Sequence, residues 1–163
     1  MKISFEQMVG EHRKEIIDIY NYYVENDFSA YPEKSFPYEY YDKFLEMAKG
    51  YPAYSIFVNK QIVGFCFLHA YNSISTFKAC AEITYFIDKM FTGKGIGKVA
   101  LEKLEKEARK IGIKRILASI ASENDQSLIF HRKNGFRECG KFEKIITKKG
   151  KQFDIIWMQK DIE

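Results

Sequence analysis

Glu82 lies in the run Cys80-Ala81-Glu82-Ile83-Thr84-Tyr85-Phe86-Ile87, where most of its neighbours are apolar or aromatic. A carboxylate is costly to bury unpaired in such a strand, so it is placed for proton transfer, paired, or turned to water at a sheet edge. Downstream comes Gly93-Lys94-Gly95-Ile96-Gly97-Lys98. A glycine cluster between a strand and a helix gathers free backbone N–H groups and the positive end of a helix dipole at one point, a geometry that holds phosphate. Glycine leaves room for an anion to approach the backbone and permits positive φ, and Lys94 and Lys98 add charge. The same glycines also suit a tight turn packed on the sheet, and these residues alone do not separate the two readings. No GxxxxGK[ST] loop is present, and Ala100 stands where a dinucleotide fingerprint has its third glycine. The loop also follows an antiparallel run, unlike the first turn of a dinucleotide fold. Further on, Asn124 is a natural N-cap, and Ser127 and His131 fall one turn apart on one helical face. A lone histidine is ordinarily a surface or core residue.

These residues need elements to position them. Ile3 and Phe5 alternate with polar neighbours as a first strand, and Ile16, Ile19, Tyr20, Tyr23 and Val24 recur at helical spacing to about Asn26. Residues 27–37 carry two prolines and read as a loop, after which a helical pattern resumes and stops at Gly50. Residues 53–58 and 62–71 flank Asn59-Lys60-Gln61 as a hairpin, and the Glu82 run makes a third strand. A helix begins near Lys94 with Ile96, Ala100, Leu104, Ala108 and Ile111 on its buried stripe. A strand over 115–120, a helix over 125–134 ended by Gly135, and two strands around Lys148 to Gly150 complete the chain. The order predicts a mixed α/β layer fold, and 163 residues without repeat or linker predict one domain, 1–163.

Composition narrows the function. No uninterrupted apolar run reaches membrane-spanning length, and the first residues lack the apolar stretch of a secretory signal, so a soluble protein without a membrane partner is expected. Cys66, Cys80 and Cys139 have no CxxC spacing, which predicts a reducing cytoplasm, no disulfide framework and no metal. A net charge of +4, with lysines dispersed among carboxylates, argues against nucleic acid and leaves a phosphorylated small molecule open.

Taken together, residues 19–26, 81–88, 93–104, 123–136 and 149–162 resemble the GNAT N-acetyltransferases, within them the phosphinothricin and methionine-derivative branch. The resemblance implies a mostly antiparallel twisted sheet of about seven strands with a splayed pair, flanked by about four helices, and a homodimer. It implies acetyl coenzyme A as co-substrate. The backbone of Gly93, Lys94, Gly95, Ile96, Gly97 and Lys98 would cradle its pyrophosphate, while Tyr85, Phe86 and Ile87 of the splayed strand, with Asn124 and Ser127, would hold its pantetheine arm. The acceptor would be a small-molecule primary amine, an amino-acid derivative such as methionine sulfone, methionine sulfoximine or phosphinothricin. Glu82 would be the general base, and a backbone N–H near Tyr85 or Phe86 would polarise the thioester carbonyl. Tyr31, Tyr71, Asn72, Phe77 and Thr84, with Glu82, would line the acceptor pocket.

Three positions depart from the family pattern. Thr92 stands where Gln or Arg precedes the glycines. His131 takes the place of the tyrosine that protonates the departing thiolate, and so inherits that role. Asn72 replaces an arginine suited to an acidic acceptor, which leaves a neutral amino-acid derivative or a different small amine beside phosphinothricin. The rival readings are a peptide or protein N-terminal acetyltransferase, a non-catalytic coenzyme A-binding domain, and a nucleotide-binding protein using the glycine loop for ATP.

Overall fold

A computed structural model describes residues 1–163. Its strands are β1 (Ile3–Gln7), β2 (Ala53–Val58), β3 (Gln61–Ala70), β4 (Cys80–Ile87), β5 (Arg115–Ala121), β6 (Arg137–Lys148) and β7 (Lys151–Asp161). Its α-helices are α1 (Arg13–Asn26), α2 (Tyr41–Met47), α3 (Ile96–Lys110) and α4 (Asp125–Lys133), with four single 3₁₀ turns between elements. The strands form one seven-stranded sheet in the order β1-β2-β3-β4-β5-β7-β6, as the mixed α/β expectation requires. Every neighbouring pair is antiparallel except β4 and β5.

That parallel pair opens early. β4 and β5 are in register only from Cys80 opposite Arg115 to Glu82 opposite Leu117. Beyond that point both strands continue without each other, β4 to Ile87 and β5 to Ala121. β4 stays bound along its other edge, where β3 pairs with it from Ala70 opposite Ala81 to Gly64 opposite Ile87. Gly64 is required there, because a Cβ would come within 2.7 Å of the Phe86 carbonyl oxygen.

Backbone direction follows from this register. Asp88 N–H donates to the Val63 carbonyl of β3 at 2.7 Å. Alternation along the strand therefore aims the N–H and C=O of Phe86, Thr84 and Glu82 at β3 and those of Tyr85 and Ile83 to the other side, where Ile83 N–H completes the ladder to Leu117 of β5 and the Ile83 carbonyl and both Tyr85 groups enter the open gap. Ile87 faces the same gap, and its carbonyl accepts from the Tyr23 hydroxyl.

Side chains alternate with the opposite consequence. On one face Phe65, Phe67 and Phe86 pack under α1 and α2 with Ile16, Ile17, Tyr23, Tyr41 and Phe44. On the other, Cys66, Leu68 and Ile83 pack with Ile96, Ala100, Leu101, Leu104 and Ala108 of α3 and Leu128 of α4. Burying a side chain such as Leu104 fully stabilises the fold by about 2 kcal/mol. The stripe expected on α3 ends one residue short, since the helix stops at Lys110 and Ile111 is exposed. Gly112 at φ +85° turns the chain, and Ile113 is buried instead.

Candidate active site

A cleft of about 590 Å³ runs through the sheet at the gap between β4 and β5. At one end is α3, whose N-cap Gly95 holds φ +83° after Gly93 at +74°. These values explain the glycines, because a side chain is strained at positive φ even though a Cβ at either position would meet open space. Gly97 differs, lying inside the helix with the Phe130 ring 3.4 Å from where its Cβ would be. The Gly95 carbonyl accepts from Val99 N–H, so the amides of Ile96, Gly97 and Lys98 are the helix's free N-terminal donors. Gly93, Gly95, Ile96, Gly97 and Lys98 line the cleft beside Lys89 and Thr92. Lys94 is exposed and does not line it.

In the middle, the Ile83 carbonyl and the N–H and C=O of Tyr85 are open to an added strand. Of the two residues expected to supply a polarising N–H, Tyr85 has its N–H facing the gap, whereas that of Phe86 is turned to β3. Asn124 borders the cleft from the N-terminus of α4, and its side-chain oxygen accepts from Ser127 N–H at 3.2 Å. This is the N-cap read from the sequence.

His131 lies on the α3/α4 side and is 3% exposed. Its Nδ1 is 2.7 Å from the Ser127 carbonyl oxygen, which only accepts, so Nδ1 carries the ring proton. Its Nε2 then accepts from the Tyr85 hydroxyl at 2.5 Å. Burial pushes the imidazole pKa down to about 4, partly countered by the Ser127 carbonyl, so the ring is neutral near pH 7. Burial also pushes the Tyr85 hydroxyl well above the usual phenol range. Tyr85 as a residue is half-buried, but its hydroxyl is enclosed against His131. The Tyr85 hydroxyl therefore keeps its proton and donates it in a hydrogen bond to His131 Nε2.

Glu82 points to the other face, with Thr84, Phe67 and His69, and all four line the cleft. The carboxylate makes no hydrogen bond or ion pair with any protein group, and burial raises its pKa. Tyr31 closes this end from the loop after α1, its hydroxyl 3.4 Å from Ser119 Oγ of β5. The loop is clamped from β6 by Lys148, a fully buried ammonium donating to the Asp27 and Ala30 carbonyls at 2.6 Å each. Thus Glu82 and His131 flank the gap from opposite faces of the sheet.

Tyr71, Asn72 and Phe77 are not brought to the cleft. Tyr71 and Phe77 are exposed, their rings 5.9 Å apart, with Tyr71 edge-on to Trp157. The Asn72 side chain accepts from Ile74 N–H at 2.9 Å and shapes the β3–β4 loop. Sequence reasoning missed Lys89, His69, Ser119 and the clamp. Lys89 had a usable signal, a lysine in the same strand-to-helix loop as the glycines; a histidine ending an apolar strand had none.

Comparison with known proteins agrees with this geometry. A model of the acetyltransferase (GNAT) family matches residues 16–136. An L-amino acid N-acyltransferase of Escherichia coli is 29% identical over 70% of this chain, and the match spans 66% of that relative, just under two thirds of its length. Among solved structures, a ribosomal-protein-alanine N-acetyltransferase of Brucella melitensis superposes at TM-score 0.90 and 27% identity, over 97% of this chain and 99% of its own. A phosphinothricin acetyltransferase of Sinorhizobium meliloti in complex with acetyl coenzyme A superposes at TM-score 0.92 and 24% identity, over 99% and 89%, which is a likeness of fold.

Proposed function

The chain belongs to the acetyltransferase (GNAT) family, and on that premise we propose that it moves the acetyl group of acetyl coenzyme A onto the primary amine of a small amino-acid derivative, with Glu82 as base. The observation that carries this reading is the Glu82 carboxylate itself. It is unbonded, half-buried and exposed to a cleft that reaches the free amides of α3 through the gap in the sheet.

The residues present suit acetyl coenzyme A. The free amides at the start of α3, with Lys89 and Lys98, supply donors and charge for its phosphates. The Ile83 carbonyl and the gap-facing N–H and C=O of Tyr85, with Asn124, fit the amides of an extended arm. An ammonium has no lone pair, so Glu82 draws it in and takes a proton, leaving the nitrogen able to attack the thioester carbon. Tyr85 N–H stabilises the charge that develops on the thioester oxygen. His131, neutral and bonded at both nitrogens, acts through Tyr85: it fixes the hydroxyl whose proton is available to the departing thiolate, with solvent as the other source.

The acceptor end holds Tyr31, Phe67, Thr84, His69 and Glu82 and no Lys or Arg side chain, which supports a neutral amino-acid derivative over one with a second acidic group. The Brucella relative's name raises a second reading, a protein N-terminus as acceptor. The Lys148 clamp ranks it lower by closing the loop over that end of the cleft. Cytoplasmic location and a homodimer belong to the same proposal, supported by three free cysteines and by the exposed apolar group Tyr71, Ile74 and Phe77. Amine-dependent thiol release across methionine sulfone, methionine sulfoximine, phosphinothricin, free amino acids, polyamines and short peptides tests the acceptor. Turnover with neutral amino-acid derivatives is expected to be best; preference for peptides would transfer the assignment to the second reading.

A further inference from the structure

Two protons must leave the acceptor nitrogen between ammonium and amide, and Glu82 accounts for one. His69 is the residue directly opposite Glu82 across the β3–β4 ladder, so their side chains share a face with Cβ atoms about 5 Å apart. Both line the cleft, yet they make no hydrogen bond or ion pair with each other. The His69 Nδ1 is 3.1 Å from the Ala70 carbonyl oxygen, an acceptor only, so the neutral ring carries its proton there. Nε2 keeps its lone pair and has no protein partner. The Phe67 ring, 6.0 Å away, buttresses the imidazole, and burial lowers its pKa. Side by side at the acceptor end stand two proton-accepting sites, the Glu82 carboxylate and the His69 Nε2, with no protein group bonded to either.

We propose that His69 is a second catalytic residue, whose Nε2 takes the second proton of the acceptor nitrogen as the N–C bond forms. This rests on the acetyl-transfer reading above. Glu82 takes the first proton from the ammonium, and the freed electron pair forms the bond to the thioester carbon. The nitrogen is then positively charged and strongly acidic, so a weakly basic imidazole suffices to remove its second proton. The carbonyl reforms, the C–S bond breaks, and its electron pair leaves with sulfur. One of the two protons ends on the coenzyme A thiol and the other in solvent, leaving Glu82 ionised and His69 neutral again.

The test compares native protein, His69→Ala and His69→Gln under saturating acetyl coenzyme A with the best amine of the panel. Both variants should lose about 10²-fold in kcat, the low end of what a general base contributes. KM for acetyl coenzyme A should be unaltered. Calorimetry of the amine on coenzyme A-loaded protein should weaken by no more than about tenfold, the worth of one hydrogen bond. Free imidazole should restore much of the His69→Ala rate and none of the His69→Gln rate, because only alanine leaves a space for it. Unchanged kcat in either folded variant overturns the proposal, as does a kcat loss in His69→Ala that imidazole leaves untouched. If His69→Ala does not fold, the kcat of His69→Gln decides by the same criterion. Absence of turnover by native protein with every amine overturns the acetyl-transfer reading and this proposal with it; normal native turnover that ignores residue 69 overturns this proposal alone.

Discussion

Glu82 and His131 face opposite sides of one gap, and burial favours the neutral form of each, raising the carboxylate's pKa and lowering the imidazole's. Their substitutions separate chemistry from stability. Glu82→Gln keeps shape but accepts no proton, so acetyl coenzyme A should bind as before by calorimetry while kcat falls roughly 10²- to 10⁴-fold. The deficit should shrink as pH rises towards the acceptor's own pKa, where free amine is abundant; a constant deficit would deny Glu82 the role of base. His131 makes a pH prediction with a fixed sign. Its folded pKa of about 4 lies below the ordinary 6.5, so between those values the unfolded chain binds more protons than the folded one. Stability should therefore fall as pH drops from about 6.5 to about 4, by roughly 3 kcal/mol at 1.36 kcal/mol per unit. Urea unfolding at stepped pH should show a shallower slope in His131→Gln. Tyr85→Phe should leave His131 Nε2 unbonded and lower kcat without altering acetyl coenzyme A affinity, if the hydroxyl supplies the thiolate's proton; an unaltered kcat would assign that proton to solvent.

The start of α3 and the start of α4 shape the proposed cofactor end by different means. At Gly95 the backbone is left-handed, so Gly95→Val adds strain and disturbs the three free amides that follow. Acetyl coenzyme A affinity should collapse while far-UV circular dichroism stays native-like; retained affinity in a folded variant would remove the loop from the site. At α4 the cap is a side chain, and Asn124→Ala should cost about 1 kcal/mol of stability in denaturant unfolding and weaken the cofactor complex as well. Both elements were legible in the sequence because their signals are local. Glycines at turn positions, an Asn before a helical stripe and alternation in 80–87 each report on their own segment. The acceptor end was not, because it is assembled from β3, β4, β5, the loop after α1 and a lysine of β6. Tyr71 and Phe77 read as pocket walls by type, yet the β3–β4 loop carries them outward to Trp157. His69 reads as an ordinary strand histidine until the register sets it opposite Glu82.

Across the whole molecule, the sheet is continuous except at one place, and function is assigned to that place. The α1/α2 layer covers the face bearing Glu82 and the α3/α4 layer the face bearing His131, so the gap between β4 and β5 joins two otherwise separate packed layers. Lys148 ties the end of β6 to the loop over the acceptor end, coupling the far edge of the sheet to the cleft. No helix is long and apolar enough to cross a membrane. The central claim is that this gap binds acetyl coenzyme A and passes its acetyl group to an amine on the Glu82 side. It is tested most directly by thiol release from acetyl coenzyme A, followed with and without amine, in native protein and in Glu82→Gln matched for bound cofactor. The account predicts release that requires the amine and nearly vanishes in Glu82→Gln at neutral pH. Tight cofactor binding with no amine-dependent release from the native protein would contradict it and leave a coenzyme A-binding domain without acetyl transfer.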